Sequence, residues 1–292
     1  DAQDARGLIR RATSADGLSI YCYTAACTFD RAWDEFTTQA RGLILDSEDN
    51  LVARPLPKFF NLGEVSCPPL PSGEYEVFEK LDGSLGIWYY HQGRWRVSTK
   101  GSFDNDYTRW ATDFAHRLAF FPQDWTVLTE IVLPPTLDGM ARVVKHEPGV
   151  YLLGAINTHS AEDYPLADAR TYWPSSQVAK TFTGAKIEQL LVAATQDEGT
   201  EGWVARFDNA FRCKIKTAWY LRLFRAVSDL NEKTIRELLL AGGNLSEFPE
   251  EFRAEAEVIY NTIVARYATR YAAIEQEFIQ HQHHPTRKAF AL

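Results

Sequence analysis

The sequence lacks most of the features that announce a function outright. Its four cysteines, Cys22, Cys27, Cys67 and Cys213, form no C-x-x-C pair, and none stands near a histidine at zinc spacing. Neither a zinc site nor a redox dithiol is therefore expected, and the thiols read as buried and reduced, as in a cytoplasmic protein. The histidine-bearing tail HQHHPTRK (281–288) reads as a solvated terminus rather than a metal site. No apolar run reaches the roughly 18–20 residues that a bilayer span needs. The opening DAQDARGLIRRATSADG has no apolar stretch of the kind a secretory leader carries, so no membrane partner is expected. An excess of basic charge is missing too. A net charge of −8 excludes a surface coated for non-specific nucleic-acid binding. It leaves open a polyanion held at one cleft, so the placement of lysines and arginines matters more than their number. No internal repeat or low-complexity segment stands out.

What is present suffices for a large core: 292 residues, 45% hydrophobic and 13% aromatic. The first two-thirds alternates short strand-like runs with a few helices. RGLILD (41–46) and LVARPL (51–56) flank Asp49-Asn50, and GWVARFD (202–208) and AFRCKIK (210–216) flank Asp208-Asn209, both hairpin signals. WTVLTEIVL (125–133) and GVYLLGAI (149–156) are apolar enough for buried strands. Tyr107, Trp110, Phe114, Leu118 and Phe121 recur at helical spacing behind a cap at Asp104 or Asn105, and 185–194 reads as another helix. After about residue 217 the pattern turns helical, with a helix ending at Gly242-Gly243 and a long one opening at Pro249. One face of the long helix carries Phe252, Ile259, Ile263, Tyr267, Tyr271, Ile274 and Phe278. The expected fold class is α+β, antiparallel sheets with flanking helices over 1–217 and a small all-helical domain over 218–292.

Residues 79–84 read EKLDGS, a lysine beside an Asp-Gly turn between two strand-like runs. By itself this suits a hairpin tip or a nucleophile equally. A second pattern bears on the choice. Arg212, Lys214 and Lys216 alternate with Phe211, Cys213 and Ile215, so one strand face presents three cations and the other a core. Such a face is suited to lowering the pKa of Lys80 from the ordinary lysine value of about 10.4 and to holding a phosphate.

These segments occur in a fixed order: ARGLILD, PKFFNLGE, EKLDGS, STKGS, TEIV, YLLGA, TEGWVARF and FRCKIK. In that order the chain, over roughly residues 40–217, resembles the covalent nucleotidyltransferases, and most nearly the phage-type RNA ligase 1 family. The K-x-D-G, strand-end Glu, E-G-x-V and K-x-K motifs of that family match here. The resemblance implies ATP and Mg²⁺ (or Mn²⁺) as cofactors and RNA 5′-phosphate and 3′-hydroxyl ends as partners. It implies sealing through a lysyl-AMP and an RNA-adenylate, in RNA or tRNA repair. Lys80, Lys214, Lys216 and Glu201 would be catalytic; Glu130 would contact the ribose or a metal, and Glu201 would help hold the Mg²⁺. Arg41 and Lys58 would meet the ribose and triphosphate, and Lys100 a nucleotide or RNA phosphate. Glu79 would reach the base, Asp82 and Gly83 would shape the turn, and Ser84 would donate to phosphate or ribose. Val204 and one of Tyr151, Leu152 or Leu153, here taken as Leu152, would sandwich the purine. Arg142, Lys145 and His146 follow Glu130 and are candidate RNA-phosphate contacts. After Lys216 there is no R-x-D-K and the pattern is helical, unlike the OB-fold that usually follows in DNA ligases and capping enzymes. A nucleotidyltransferase acting on another acceptor and a non-catalytic RNA-binding protein of the same fold are the alternatives.

Overall fold

The computed structural model describes residues 6–138, 142–242, 245 and 253–281. It divides into two compact units, Asp1–Leu221 and Arg222–Leu292. The first is built on three sheets. An N-terminal sheet has the order β1 (Ile9–Thr13), β2 (Ser19–Tyr23), β3 (Arg41–Leu45), β4 (Leu51–Ala53), all antiparallel. Two short helices, α1 (Ala25–Phe29) and α2 (Glu35–Gln39), lie between β2 and β3. Thr24 caps the first, and Asp34 caps the second in a reciprocal box with Thr37.

β5 (Phe60–Asn61) and β6 (Tyr75–Glu79) are edges of a sheet ordered β5-β13-β12-β6, completed by β12 (Gly202–Phe207) and β13 (Arg212–Lys216). The central sheet runs β11-β10-β9-β7-β8. Its strands are β7 (Ser84–His91), β8 (Arg94–Ser98), β9 (Trp125–Val132), β10 (Gly149–Asn157) and β11 (Asp163–Tyr164).

Strand alternation explains how these layers bury themselves. On β7 and β9, Trp88, Val127 and Ile131 face a core shared with Leu118, Phe121 and Trp173. Ile87, Tyr89 and Leu128 face the other way, against Leu18, Ile20 and Ile44 of the N-terminal sheet. In the third sheet Val77, Trp203, Cys213 and Ile215 pack on Ile187 and Leu190 of α5 (Ile187–Gln196). The short α4 (Leu166–Arg170) covers β10.

The two hairpins read from Asp49-Asn50 and Asp208-Asn209 are present. The EKLDGS segment is not a hairpin: β6 pairs with β12 and β7 with β8 and β9, so the lysine turn crosses from one sheet to another. The helix read over 104–121 is divided. Asn105 caps α3 (Asp106–Thr112), then Phe114 leaves helical geometry and a 3₁₀ turn follows at Ala115–Leu118. The tighter turn still buries Leu118 and Phe121 in the same core.

The second unit contains most of α6 (Ala218–Asp229), together with α7 (Glu232–Leu240) and α8 (Arg253–His281). Asn231 caps α7, and Ile235 packs with Ala256 and Ile263 of α8. α7 stops at Leu240, and Gly242 follows at φ +78. Gly243, Pro249, Phe252 and the tail after His281 lie outside the described residues.

Candidate active site

Where the N-terminal sheet stops covering the central one, the exposed inner face becomes the wall of a cleft of about 580 Å³. Glu130 follows Leu128 on that face of β9. Opposite stands the third sheet, where Phe78, Val204 and Lys214 lie in one cross-strand row. The next row holds Lys80, Gly202 and Lys216: the Lys80 amide donates to the Gly202 carbonyl at 2.9 Å, and Gly202 faces Lys216. Lys80 and the K-x-K lysines thus share a face because β6, β12 and β13 are in register.

Lys80 is only partly exposed and lines the cleft. Its Nζ lies 2.9 Å from Glu201 Oε1, and Lys216 Nζ lies 2.9 Å from the same oxygen. Glu201 is 2% exposed and, like Lys216, is not on the cleft lining. One buried carboxylate thus positions two ammonium groups. Tyr220, absent from the sequence expectations, supports this arrangement. Its ring lies 4.7 Å from Lys216 Nζ and its hydroxyl 3.4 Å from Asp82 Oδ1. Burial, with the carboxylates of Glu201 and Asp82 beside it, pushes its hydroxyl pKa up.

Lys214 differs from both neighbours. Among the described residues its amine has no hydrogen bond or ion pair, only the Phe59 ring 4.6 Å from its Nζ. Burial lowers its pKa to about 6, helped by the surrounding Arg41, Lys58, Lys80 and Lys216. Of the three cations expected on this face, Lys214 and Lys216 form a cluster with Lys80, Lys58 and Arg41, and Lys214 is the one without a counter-charge. Arg212 is not part of it. Its guanidinium is held at 2.9 Å by Asp163 on β11, which also binds Arg206 at 3.3 Å, so this third cation pins the sheets together.

Glu130 lines the cleft, and its carboxylate has no hydrogen bond or ion pair among the described residues. Desolvation raises its pKa to about 7, and the nearby Glu201 adds to the rise while Lys80 and Arg41 oppose it. A desolvated, unpartnered carboxylate facing an open cleft fits a hard cation. No group of three His, Cys, Asp or Glu side chains able to hold a metal exists among the described residues. Further ligands would have to be water or substrate oxygens.

The turn itself is held from behind. Arg142 donates to the Gly83 carbonyl at 3.1 Å and to Asp138 at 2.9 Å, and it lies 3.6 Å from Asp82. His146 Nε2 accepts from the Asp82 amide at 3.2 Å. Arg142 and His146 are therefore clamps on the lysine turn, not free contacts for RNA phosphate. Asp82 is buried, accepting from the Val144 amide, and shapes the turn. Gly83 has to be glycine: a Cβ there would meet the Ile131 carbonyl at 2.6 Å and Glu130 Cγ at 2.8 Å. Gly202 is more constrained still, at φ +136 with the Ile215 carbonyl 2.0 Å from an added Cβ.

Glu79, Ser84, Arg41, Lys100 and Val204 all reach the cleft. Burial lowers the Arg41 pKa, and its guanidinium donates to the Leu56 carbonyl at 3.3 Å. Lys100 Nζ lies 3.4 Å from the Tyr23 hydroxyl. Lys58 instead lines an adjoining pocket of about 280 Å³, with its Nζ 4.2 Å from the Phe60 ring centroid. Leu152 does not reach the cleft. It is fully buried in the helix-side core, because β10 alternation sends Leu152 inward and Leu153 to the cleft. Sequence reasoning missed Arg10, Tyr23, Phe59 and Tyr107 as lining residues. Phe59 stood inside a quoted motif, whereas the other three are brought in from distant segments and carried no local signal.

Residues 39–220 match the RNA ligase family. RNA ligase 1 of bacteriophage TS2126 is 30% identical over 223 residues, covering 65% of this chain and 53% of that protein. The RNA ligase of Rhodothermus phage RM378 is 24% identical, covering 94% of this chain and 81% of that protein. This chain thus spans about half the length of the TS2126 protein. Among solved structures, an archaeal ATP-dependent RNA ligase superposes with a TM-score of 0.56 at 14% identity, covering 97% of this chain and 78% of that one. That likeness identifies a nucleotidyltransferase fold. No helix among the described residues is long and apolar enough to cross a membrane. With the match covering most of the sheet-bearing unit, the lysine turn included, the chain belongs to the phage-type RNA ligase family.

Proposed function

We propose that this chain is an ATP-dependent RNA ligase that joins 5′-phosphate and 3′-hydroxyl ends after adenylylating Lys80. The observation that carries the reading is the ion pair of Lys80 Nζ with Glu201 Oε1 at 2.9 Å, at the wall of a cleft lined by the unpartnered Lys214 and Glu130. Before attacking, the ammonium must shed a proton, and Glu201 Oε1 is the acceptor in reach. Lys80 Nζ then forms a bond to the α-phosphorus of ATP while the bond to pyrophosphate breaks. Lys214 and Arg41, poor in counter-charges, meet the phosphate oxygens; Lys216 holds Glu201 as Lys80 leaves it. Lys58 and Lys100 extend positive charge along the triphosphate and RNA path. Val204 and Leu153 supply the apolar walls for the base, with Glu79 at its edge.

Glu130 would hold Mg²⁺ (or Mn²⁺), with water or substrate oxygens as the further ligands, and the ion when bound would neutralise phosphate charge and orient the leaving pyrophosphate. The RNA 5′-phosphate next takes AMP from Lys80, and the 3′-hydroxyl displaces AMP to close the strand. The domain bearing this chemistry spans 1–217, with the helices of 218–292 as its appendage. RNA repair, at broken tRNA loops, is the biological role this proposes. The four free cysteines suit the reducing cytoplasm.

The test is incubation with α-labelled ATP and Mg²⁺, then with 5′-phosphorylated RNA. An acid-labile protein label, lost in Lys80→Ala, is expected, followed by its transfer and RNA sealing. Label without sealing of any RNA would point to a different acceptor. Absence of label in the unmodified chain would sink the reading.

A further inference from the structure

The cleft lining carries a cation that the adenylylation of Lys80 does not use. Arg10 on β1 stands opposite Cys22 on β2, and Cys22 stands opposite Arg41 on β3, so the three form one cross-strand row. Cys22 is buried and Arg41 is desolvated, whereas Arg10 is exposed. Gly101, just past β8, lies against the Arg10 guanidinium: a Cβ there would overlap Arg10 Nη2 and would stand 3.4 Å from Cys22 Cβ. Gly42, next to Arg41, packs on the backbone of Lys100. Arg41, Lys100 and Arg10 therefore follow one another along the cleft wall, from its desolvated part to solvent.

Neither cation at the outer end has a carboxylate partner. Among the described residues the Arg10 guanidinium makes no hydrogen bond or ion pair. Lys100 Nζ meets the hydroxyl and ring of Tyr23. Asp104 and Asp106, the acidic side chains nearest Lys100 in the sequence, are taken by Arg109 at 2.8 and 2.9 Å. A planar guanidinium beside an ammonium, without counter-charge, fits a phosphate.

We infer that Arg10, with Lys100 beside it, binds the terminal 5′-phosphate of the RNA strand and gives that end preference over a 5′-hydroxyl. The inference rests on the ligase reading for its ligand. Burial separates the RNA phosphate from those of ATP. The α-phosphate must lie at Lys80, near the desolvated Lys214 and Arg41, so its charge is met inside the cleft. An RNA end arrives from solvent and passes the exposed Arg10 first. A terminal monoester carries about −2 charge at neutral pH against about −1 for a backbone diester, and gains more from paired cations.

The test is fluorescence anisotropy of the full chain with a short oligoribonucleotide, dye-blocked at its 3′ end and bearing either a 5′-phosphate or a 5′-hydroxyl. ATP and metal are left out, so the result is read without adenylylation and stands apart from the labelling test of the ligase reading. The 5′-phosphate should tighten binding about tenfold. Arg10→Ala should abolish that preference while still binding the 5′-hydroxyl strand, which also shows the variant to be folded. Gly101→Ala keeps Arg10 but displaces its flexible guanidinium, and should lose most of the preference. Arg10→Lys, which keeps the charge without the planar fork, should retain part of it. Equal affinity of the unmodified chain for the two strands overturns the inference, as does binding of neither, or a preference that survives Arg10→Ala. An equal loss for both strands in Arg10→Ala makes Arg10 a general backbone contact and overturns the terminal-phosphate assignment. A fall in ATP affinity with the RNA preference intact gives Arg10 to the triphosphate and overturns it too.

Discussion

Lys214 offers the sharpest quantitative test of the cleft. With its pKa lowered to about 6 by burial and by Arg41, Lys58, Lys80 and Lys216, it is about 1% charged at pH 8. A triphosphate entering the cleft supplies the missing counter-charge and should return the amine to its charged form. Nucleotide binding at pH 8 should therefore take up about one proton at Lys214, at a cost of about 2.7 kcal/mol for the two pH units separating buffer from pKa. The sign follows from linkage. A ligand that prefers the protonated form binds more weakly as pH rises, about tenfold per unit between the free-state and bound-state pKa values. Glu130, raised to about 7, complicates the count in a known direction. Phosphate alone drives it toward protonation and adds to the uptake, whereas a divalent cation drives it toward ionisation and releases protons. The assay is isothermal titration calorimetry without metal, in buffers of different ionisation enthalpy. An ATP analogue with a methylene bridge between the α- and β-phosphates prevents turnover. The unmodified chain should take up about one proton more than Lys214→Gln. Equal uptake by the two would show that Lys214 stays charged in the free protein, and the account of the cleft's electrostatics would fall with it.

Two further substitutions separate packing from chemistry. Leu152→Ala should destabilise the fold by about 2–5 kcal/mol in chemical denaturation and leave nucleotide KM in the surviving folded fraction unchanged; Leu153→Ala should do the reverse, raising KM with little loss of stability. Gly83→Ala forces a Cβ onto the Ile131 carbonyl and Glu130 Cγ, so covalent labelling of Lys80 should fall at least tenfold. Labelling at the unmodified rate would mean the turn is freer to shift than its contacts imply.

The elements legible in the sequence were those whose signal is local. Asp49-Asn50 and Asp208-Asn209 marked hairpins because turn chemistry is a property of two to four residues. Alternation on β13 put Lys214 and Lys216 on one face and Cys213 and Ile215 on the other for the same reason. What alternation cannot supply is the partner across the gap. Arg212 shares the face of Lys214, yet Asp163 from another sheet claims it, and nothing near residue 212 encodes that. Arg142 looked like a spare cation until Asp138, Asp82 and the Gly83 carbonyl closed around it. The choice among Tyr151, Leu152 and Leu153 was undecidable for a related reason: β10 is covered on both sides, so its apolar run gives no phase. Only the register against β9, broken between Leu152 and Gly154, fixes which leucine meets the cleft. The proposed catalytic reading does not depend on these assignments, because its core needs one relation alone, a lysine after β6 aligned with a lysine ending β13. The hydrogen bond from Lys80 to Gly202 enforces that relation through the backbone, whatever the surrounding side chains do.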